Sequence, residues 1–296
     1  MNQSPYFKRF LPLFFIISFL YSRILTPQSN DEFAEMLYKN NKAREYHEIT
    51  RSGLEYNVKG PAEIKIFAKA AFPKKTINES KSFSYNILIN DLSTSSNNIK
   101  NIDRKVTSTS HPMHVYTYSA KDVIVVPGGD YTIKINKNST LDPPVLVRLS
   151  RSGRKSKDKL KEEFKIPSNL KKYKLKSIKS SLKPVYYGMN YSQPLFIDDV
   201  EGLFEFNLRG FHKSSLSKPK LIEAVLLKNG NRNTAYHIWS APHPSTTIDS
   251  DSRVPGRLNK IYLYLNQNNY LFTVKSMNSD KEMGSEMLVK VNRFIK

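Results

Sequence analysis

The sequence has no cysteine, a single tryptophan, only 11 glycines in 296 residues, and 26 acidic side chains against 47 lysines and arginines. Without cysteine there is neither a disulfide framework nor a thiolate metal or redox site, so each domain must be held by its own hydrophobic core. Walker, Gly-x-Ser-x-Gly, dinucleotide and zincin patterns are absent as well, and no cofactor is implied. Long apolar runs are equally scarce. The one present, Phe10 to Tyr21, follows Lys8 and Arg9 and ends at Ser22, the layout of a secretory signal peptide over residues 1–22. Its roughly one dozen apolar residues fall short of the ~20 that a spanning helix needs. The expectation is therefore an exported protein of the periplasm or cell surface with no transmembrane span after cleavage; a retained N-terminal anchor is the alternative. Lack of cysteine in an exported chain points to a bacterial envelope, although Asn78, Asn138 and Asn190 each begin an Asn-x-Ser/Thr triplet.

What is present is an internal repeat. Tyr46 to Lys69 overlies Tyr186 to Arg209 without a gap, at an offset of 140 residues: Tyr46 with Tyr186, Ser52 with Ser192, Tyr56 with Phe196, Ile64 with Phe204, and Lys69 with Arg209. Ile124, Val126, Tyr131, Ile133 and Ile135 then match Leu263, Leu265, Tyr270, Phe272 and Val274 at 139, and Leu146-Val147 matches Leu288-Val289 at 142. Small drift of this kind is what loop insertions in a duplicated domain produce.

Within both copies apolar residues recur at every second position, as in Ala62 to Lys69 and Leu203 to Arg209, the period of half-buried strands. Asn90-Asp91 and Asn229-Gly230 supply turn chemistry between them. The fold class read from this is all-β: two tandem antiparallel sandwiches of immunoglobulin-like type, residues 46–150 and 186–296, with a small barrel as the alternative. Two segments fall outside the repeats. Ser29-Asn-Asp-Glu32 reads as a capping box, which predicts an N-terminal helix over 29–45. Residues 151–185 read as a basic connector that opens with a short helix, Lys155 to Phe164; residues 151–183 hold 13 basic against three acidic side chains.

Candidate chemistry is sparse. His111-Pro-Met-His114 lacks the partners of a metal site and reads as a loop. Asp249 and Asp251 open a stretch that resembles a calcium loop but lacks its glycine and its closing glutamate. A hydrolase assembled in loops from His237, His243 and carboxylates remains a third reading. The main expectation is a non-catalytic envelope protein that binds another envelope protein or an anionic polysaccharide or lipid surface. The alternative is a carbohydrate- or anionic-polymer-binding protein. Its candidate residues are Tyr262 and Tyr264, on the non-core face of a strand, with the nearby Trp239, for stacking, and Lys171, Lys172, Lys174 and Lys176 for charge. Export makes nucleic acid an unsuitable target despite the net charge of +21.

Overall fold

The computed structural model describes residues 23–28, 34–75, 80–139, 143–152, 160–166, 169–178, 182–249, 251–276 and 286–295. The expected signal segment, residues 1–22, lies outside them. The described residues are all-β and contain no helix, so none is long and apolar enough to cross a membrane.

In the first half, two long strands, Leu54–Pro73 and Ala120–Lys137, pair antiparallel from Leu54 opposite Ile135 to Ala68 opposite Ala120. Tyr56 lies opposite Ile133 at one end and Ile64 opposite Ile124 at the other. Between them the register shifts at Gly60 and Ala62. Beyond one end of this pair, Ala120–Lys137 continues to Ser80–Ile89 and then Leu92–Asp103; beyond the other, Leu54–Pro73 continues to Val145–Arg151, Lys42–Glu48 and Ala34–Lys39. The shift rests on Gly60, where a Cβ would lie 1.8 Å from the Pro127 carbonyl oxygen. That neighbour is backbone and cannot step aside. Gly60→Ala is therefore expected to lower stability by about 1–3 kcal/mol in chemical denaturation, the usual cost of overpacking; an unchanged midpoint would contradict this account of the bend.

The second half repeats the pairings with each long strand cut in two. Phe204 of Gly202–His212 lies opposite Leu263 of Asn259–Leu265, and Leu195 of Leu195–Ile197 opposite Phe272 of Tyr270–Ser276. From these the order runs on one side through Lys220–Lys228 to Asn231–Ser240, and on the other through Met287–Phe294 and Val185–Met189 to Lys172–Ser177. By pairing, Leu195 takes the place of Tyr56. The sequence match of Tyr56 with Phe196 is off by one residue, and Phe196 is solvent-exposed while Leu195 is buried. One residue fewer separates Tyr186 from Leu195 than Tyr46 from Tyr56, and it is regained before Phe204, a slip that a gapless comparison cannot register.

The N-terminal helix is corrected. Ala34–Lys39 is a strand, hairpinned to Lys42–Glu48 through Asn40 and Asn41, whose φ values of 50° and 60° fit the left-handed turn asparagine tolerates. Burial alternates, with Glu35 and Leu37 inside and Met36 and Tyr38 exposed, so the period is two and sheet pairing overrides the helical stripe. The capping-box residues Ser29 and Glu32 lie outside the described residues. The connector helix is corrected too: Lys161–Glu163 is a strand on Met287–Phe294, while residues 155–159 lie outside. Lys172–Ser177 likewise belongs to the second half's sheet, hairpinned to Val185–Met189.

The halves join where Ala235–Ile238 pairs in parallel with Asp122–Val125, which carries one sheet across the boundary. Side chains cross in both directions. Val123 and Val125 pack into the second half's core, and Leu221, Trp239 and Ala241 into the first half's. The apolar outer face at Val123 and Val125 is thus covered by the other half. At the centre, the buried Asp122 carboxylate accepts hydrogen bonds from Tyr85 Oη (2.5 Å) and Ser96 Oγ, with His237 Nε2 at 3.7 Å. Burial pushes this carboxyl up, but His237, Ser96 and Tyr85 together hold it below the usual range.

Candidate functional site

The hairpin formed by Ala34–Lys39 and Lys42–Glu48 lies at the edge of the first half's sheet. Cross-strand pairing puts Leu37 opposite Arg44 and Lys39 opposite Lys42 on one face, with Tyr46 two residues further along the same strand. Lys69 shares this outward face, since its neighbours Ala68 and Ala70 point into the core. The loop and turns after Leu92–Asp103 roof the face with Asp103, Val106, Tyr118 and Ser119, enclosing a cleft of about 500 Å³. This is the size range of small-ligand sites.

Among the described residues four cations, Lys39, Lys42, Arg44 and Lys69, line that cleft with one carboxylate, Asp103. The buried Asp103 holds Lys39 Nζ at 2.5 Å, and the same ammonium lies 5.1 Å from the centre of the Tyr118 ring. Lys69 Nζ donates to the Thr117 carbonyl at 2.7 Å. Burial pushes Lys69 down to about 8, with Lys39 and Arg44 adding to the effect and Asp103 opposing it. An anion entering the cleft would reverse that shift. The arrangement is one that can bind negative charge: donors outnumber acceptors, and Tyr118, about half exposed, offers a ring at the rim.

The residues singled out by sequence do not converge. Tyr264 is 62% exposed and its hydroxyl donates to Glu201 Oε1 at 3.2 Å, while Tyr262 packs beside Phe294 and hydrogen-bonds Glu205. Trp239 is buried edge-on against Tyr131 and belongs to the junction, not to a surface. Lys172, Lys174 and Lys176 form an exposed row on Lys172–Ser177; Lys176 pairs with Asp249 at 2.7 Å, and Lys171 and Lys172 lie over the Tyr173 and Tyr187 rings. Three strands separate this row from Asn259–Leu265, so charge and tyrosines stand roughly 19 Å apart at ordinary strand spacing. His237 is buried at the junction and His243 lines a separate cleft, so the two do not share a site. His111 and His114 stack on one another, with His111 bonded to Glu35; among the described residues no group of ligating side chains could hold a metal.

Lys39, Lys42, Arg44, Asp103 and Tyr118 were not legible as a set. One signal was available: the matched stretches Tyr46 to Lys69 and Tyr186 to Arg209 both end in a cation, where an outward strand position has no packing need for one.

No protein-family profile and no curated protein matches the sequence. Among solved structures, the chain is similar to the N-terminal CBM22-1-CBM22-2 tandem domain of Xyn10C from Paenibacillus barcinonensis, with 7% identity, a TM-score of 0.25, and coverage of 93% of this chain and 98% of that one. It is similar to the M60 catalytic domain with two CBM51 domains from Clostridium perfringens ZmpB, with 7% identity, a TM-score of 0.25, and coverage of 92% and 38%. The ANX1 ectodomain from Arabidopsis thaliana gives 10% identity, a TM-score of 0.24, and coverage of 94% and 95%. Scores this low transfer neither fold nor function.

Proposed function

We propose that this chain is an exported, non-catalytic binding protein that holds an acidic polysaccharide in the basic cleft of its first half. The observation that carries the reading is the convergence of Lys39, Lys42, Arg44 and Lys69 on one cleft against a single carboxylate. Charge alone would serve any polyanion. The ring of Tyr118 beside it favours a glycan, because an aromatic face can stack on a pyranose while the lysines hold its carboxylate or sulfate groups.

The body is two diverged copies of one sandwich unit, residues 23–151 and 161–294. Several matched pairings support this: Ile64 with Ile124 and Phe204 with Leu263, Val147 with Ala68 and Val289 with Leu208, Glu35 with Tyr46 and Tyr173 with Tyr186. On this reading Ala34–Lys39 and Lys172–Ser177 are the same element twice, each copy's first hairpin strand. The true connector shrinks to about ten residues.

The test is titration with a heparin-derived tetrasaccharide, with neutral dextran oligomers and polyphosphate of equal charge alongside. The tetrasaccharide is expected to bind with salt-dependent affinity, dextran not at all, and Lys42→Glu/Arg44→Glu to weaken binding at least tenfold. Unchanged affinity in that variant, or tighter binding of polyphosphate than of the glycan, would overturn the reading.

A further inference from the structure

The second half has a cleft at the position that pairing makes equivalent to the first. Glu35 opposite Tyr46 and Tyr173 opposite Tyr186 align the two hairpins, so Leu37 and Lys39 correspond to Leu175 and Ser177. Through the adjoining strands Lys69 corresponds to Arg209. Leu175, Ser177 and Arg209 line a cleft of about 330 Å³, whose other wall is His243, Ser245 and Thr246. That wall comes from the loop between Asn231–Ser240 and Asn259–Leu265, the counterpart of the stretch carrying Asp103 and Tyr118. The same place in the fold is therefore hollow twice, lined by a different set of groups each time.

The second lining is specific. Arg209 Nη1 donates to the Gly256 carbonyl at 2.7 Å, which fixes the guanidinium, while its buried Nε has no hydrogen-bond partner among the described residues. The Ser245 and Thr246 hydroxyls both lie at about 3 Å from His243 Nδ1, which holds them together on the opposite wall. Among the described residues no carboxylate lines this cleft. A fixed guanidinium faced by two hydroxyls suits one planar or tetrahedral anion rather than a run of charge.

We infer that Arg209, Ser245 and Thr246 form a second anion site, which takes a single carboxylate or sulfate group of the same acidic glycan. The ligand class rests on the function proposed above; the site itself rests on this geometry.

Calorimetric titration with the heparin-derived tetrasaccharide tests it, with inorganic sulfate as a separate arm. Two binding events per chain are expected. Arg209→Gln should remove one and leave the event that Lys42→Glu/Arg44→Glu removes. Ser245→Asp, which puts a negative charge in the cleft without touching the Arg209 anchor on Gly256, should weaken the same event at least tenfold, and Arg209→Lys should weaken it less. If Arg209→Gln does not fold, Ser245→Asp alone decides. One event, insensitive to Ser245→Asp, overturns the second site and leaves the first intact. One event lost in Ser245→Asp but untouched by the Lys42/Arg44 pair overturns the first reading and leaves this one. Binding of sulfate alone at the second cleft, with the glycan excluded, overturns the shared ligand.

Discussion

Replacing Asp122 with alanine is expected to destabilise the protein by about 3–5 kcal/mol, the effect of removing one member of a buried charged network. The variant disturbs three groups: the Tyr85 and Ser96 hydroxyls lose the Asp122 acceptor, and the buried His237 loses its carboxylate neighbour. Because His237 comes from the second half and Asp122 from the first, the damage reaches both cores. The pH dependence has a definite sign. A carboxyl held below its usual range contributes stability that is fully present above the unfolded value, near 4, and disappears as pH falls through the lower folded value. The gap between wild type and Asp122→Ala in urea unfolding should therefore be constant at neutral pH and close in strong acid. A cost under 1 kcal/mol at pH 7 would show that the network is dispensable.

Replacing Lys69 with methionine should do the opposite to stability and remove binding. Lys69 sits at about 8 in the folded chain against an ordinary 10.5. Below about 8 the folded state bears the full cost of a buried charge. Between the two values the unfolded chain keeps its proton while the folded one has shed it, so stability rises with pH; above both, the penalty is gone. The penalty is on the order of 3 kcal/mol at pH 7, offset in part by about 1 kcal/mol from the bond to the Thr117 carbonyl. Lys69→Met should thus unfold at a higher midpoint at pH 7, with the advantage vanishing near pH 10.5. Tetrasaccharide affinity should fall at least tenfold, and in the wild type it should decline as pH rises through 8. A methionine variant that binds as wild type, or a wild-type affinity flat from pH 7 to 10, would remove Lys69 from the site.

How much of this the sequence disclosed depends on the range of the interaction. Period-two alternation is local, so the strands around Ile64, Phe204, Ile133 and Phe272 were readable residue by residue. The stretch at Ala34–Lys39 was misread because a capping box and a loose apolar stripe are local too, whereas the partner that makes it a strand, Lys42–Glu48, is recognised only through its asparagine turn. The cleft was hidden for a stronger reason. Lys39 and Lys69 are 30 residues apart, Asp103 and Tyr118 further still, and none is unusual in its own segment. Trp239 drew attention as the single tryptophan and Tyr264 as an aromatic on a non-core strand face, yet one fills the junction and the other stands in solvent beside Glu201.

The parallel pairing of Ala235–Ile238 with Asp122–Val125 means that no flexible tether sets the spacing between the two clefts. A pair of sites on a loose linker samples many separations and accepts many ligands at modest effective concentration; a pair fixed on one sheet accepts only those whose charged groups recur at the matching interval. The chain would then act as a caliper, gauging charge spacing along a polymer and rejecting those of the wrong pitch without any base, metal or moving part.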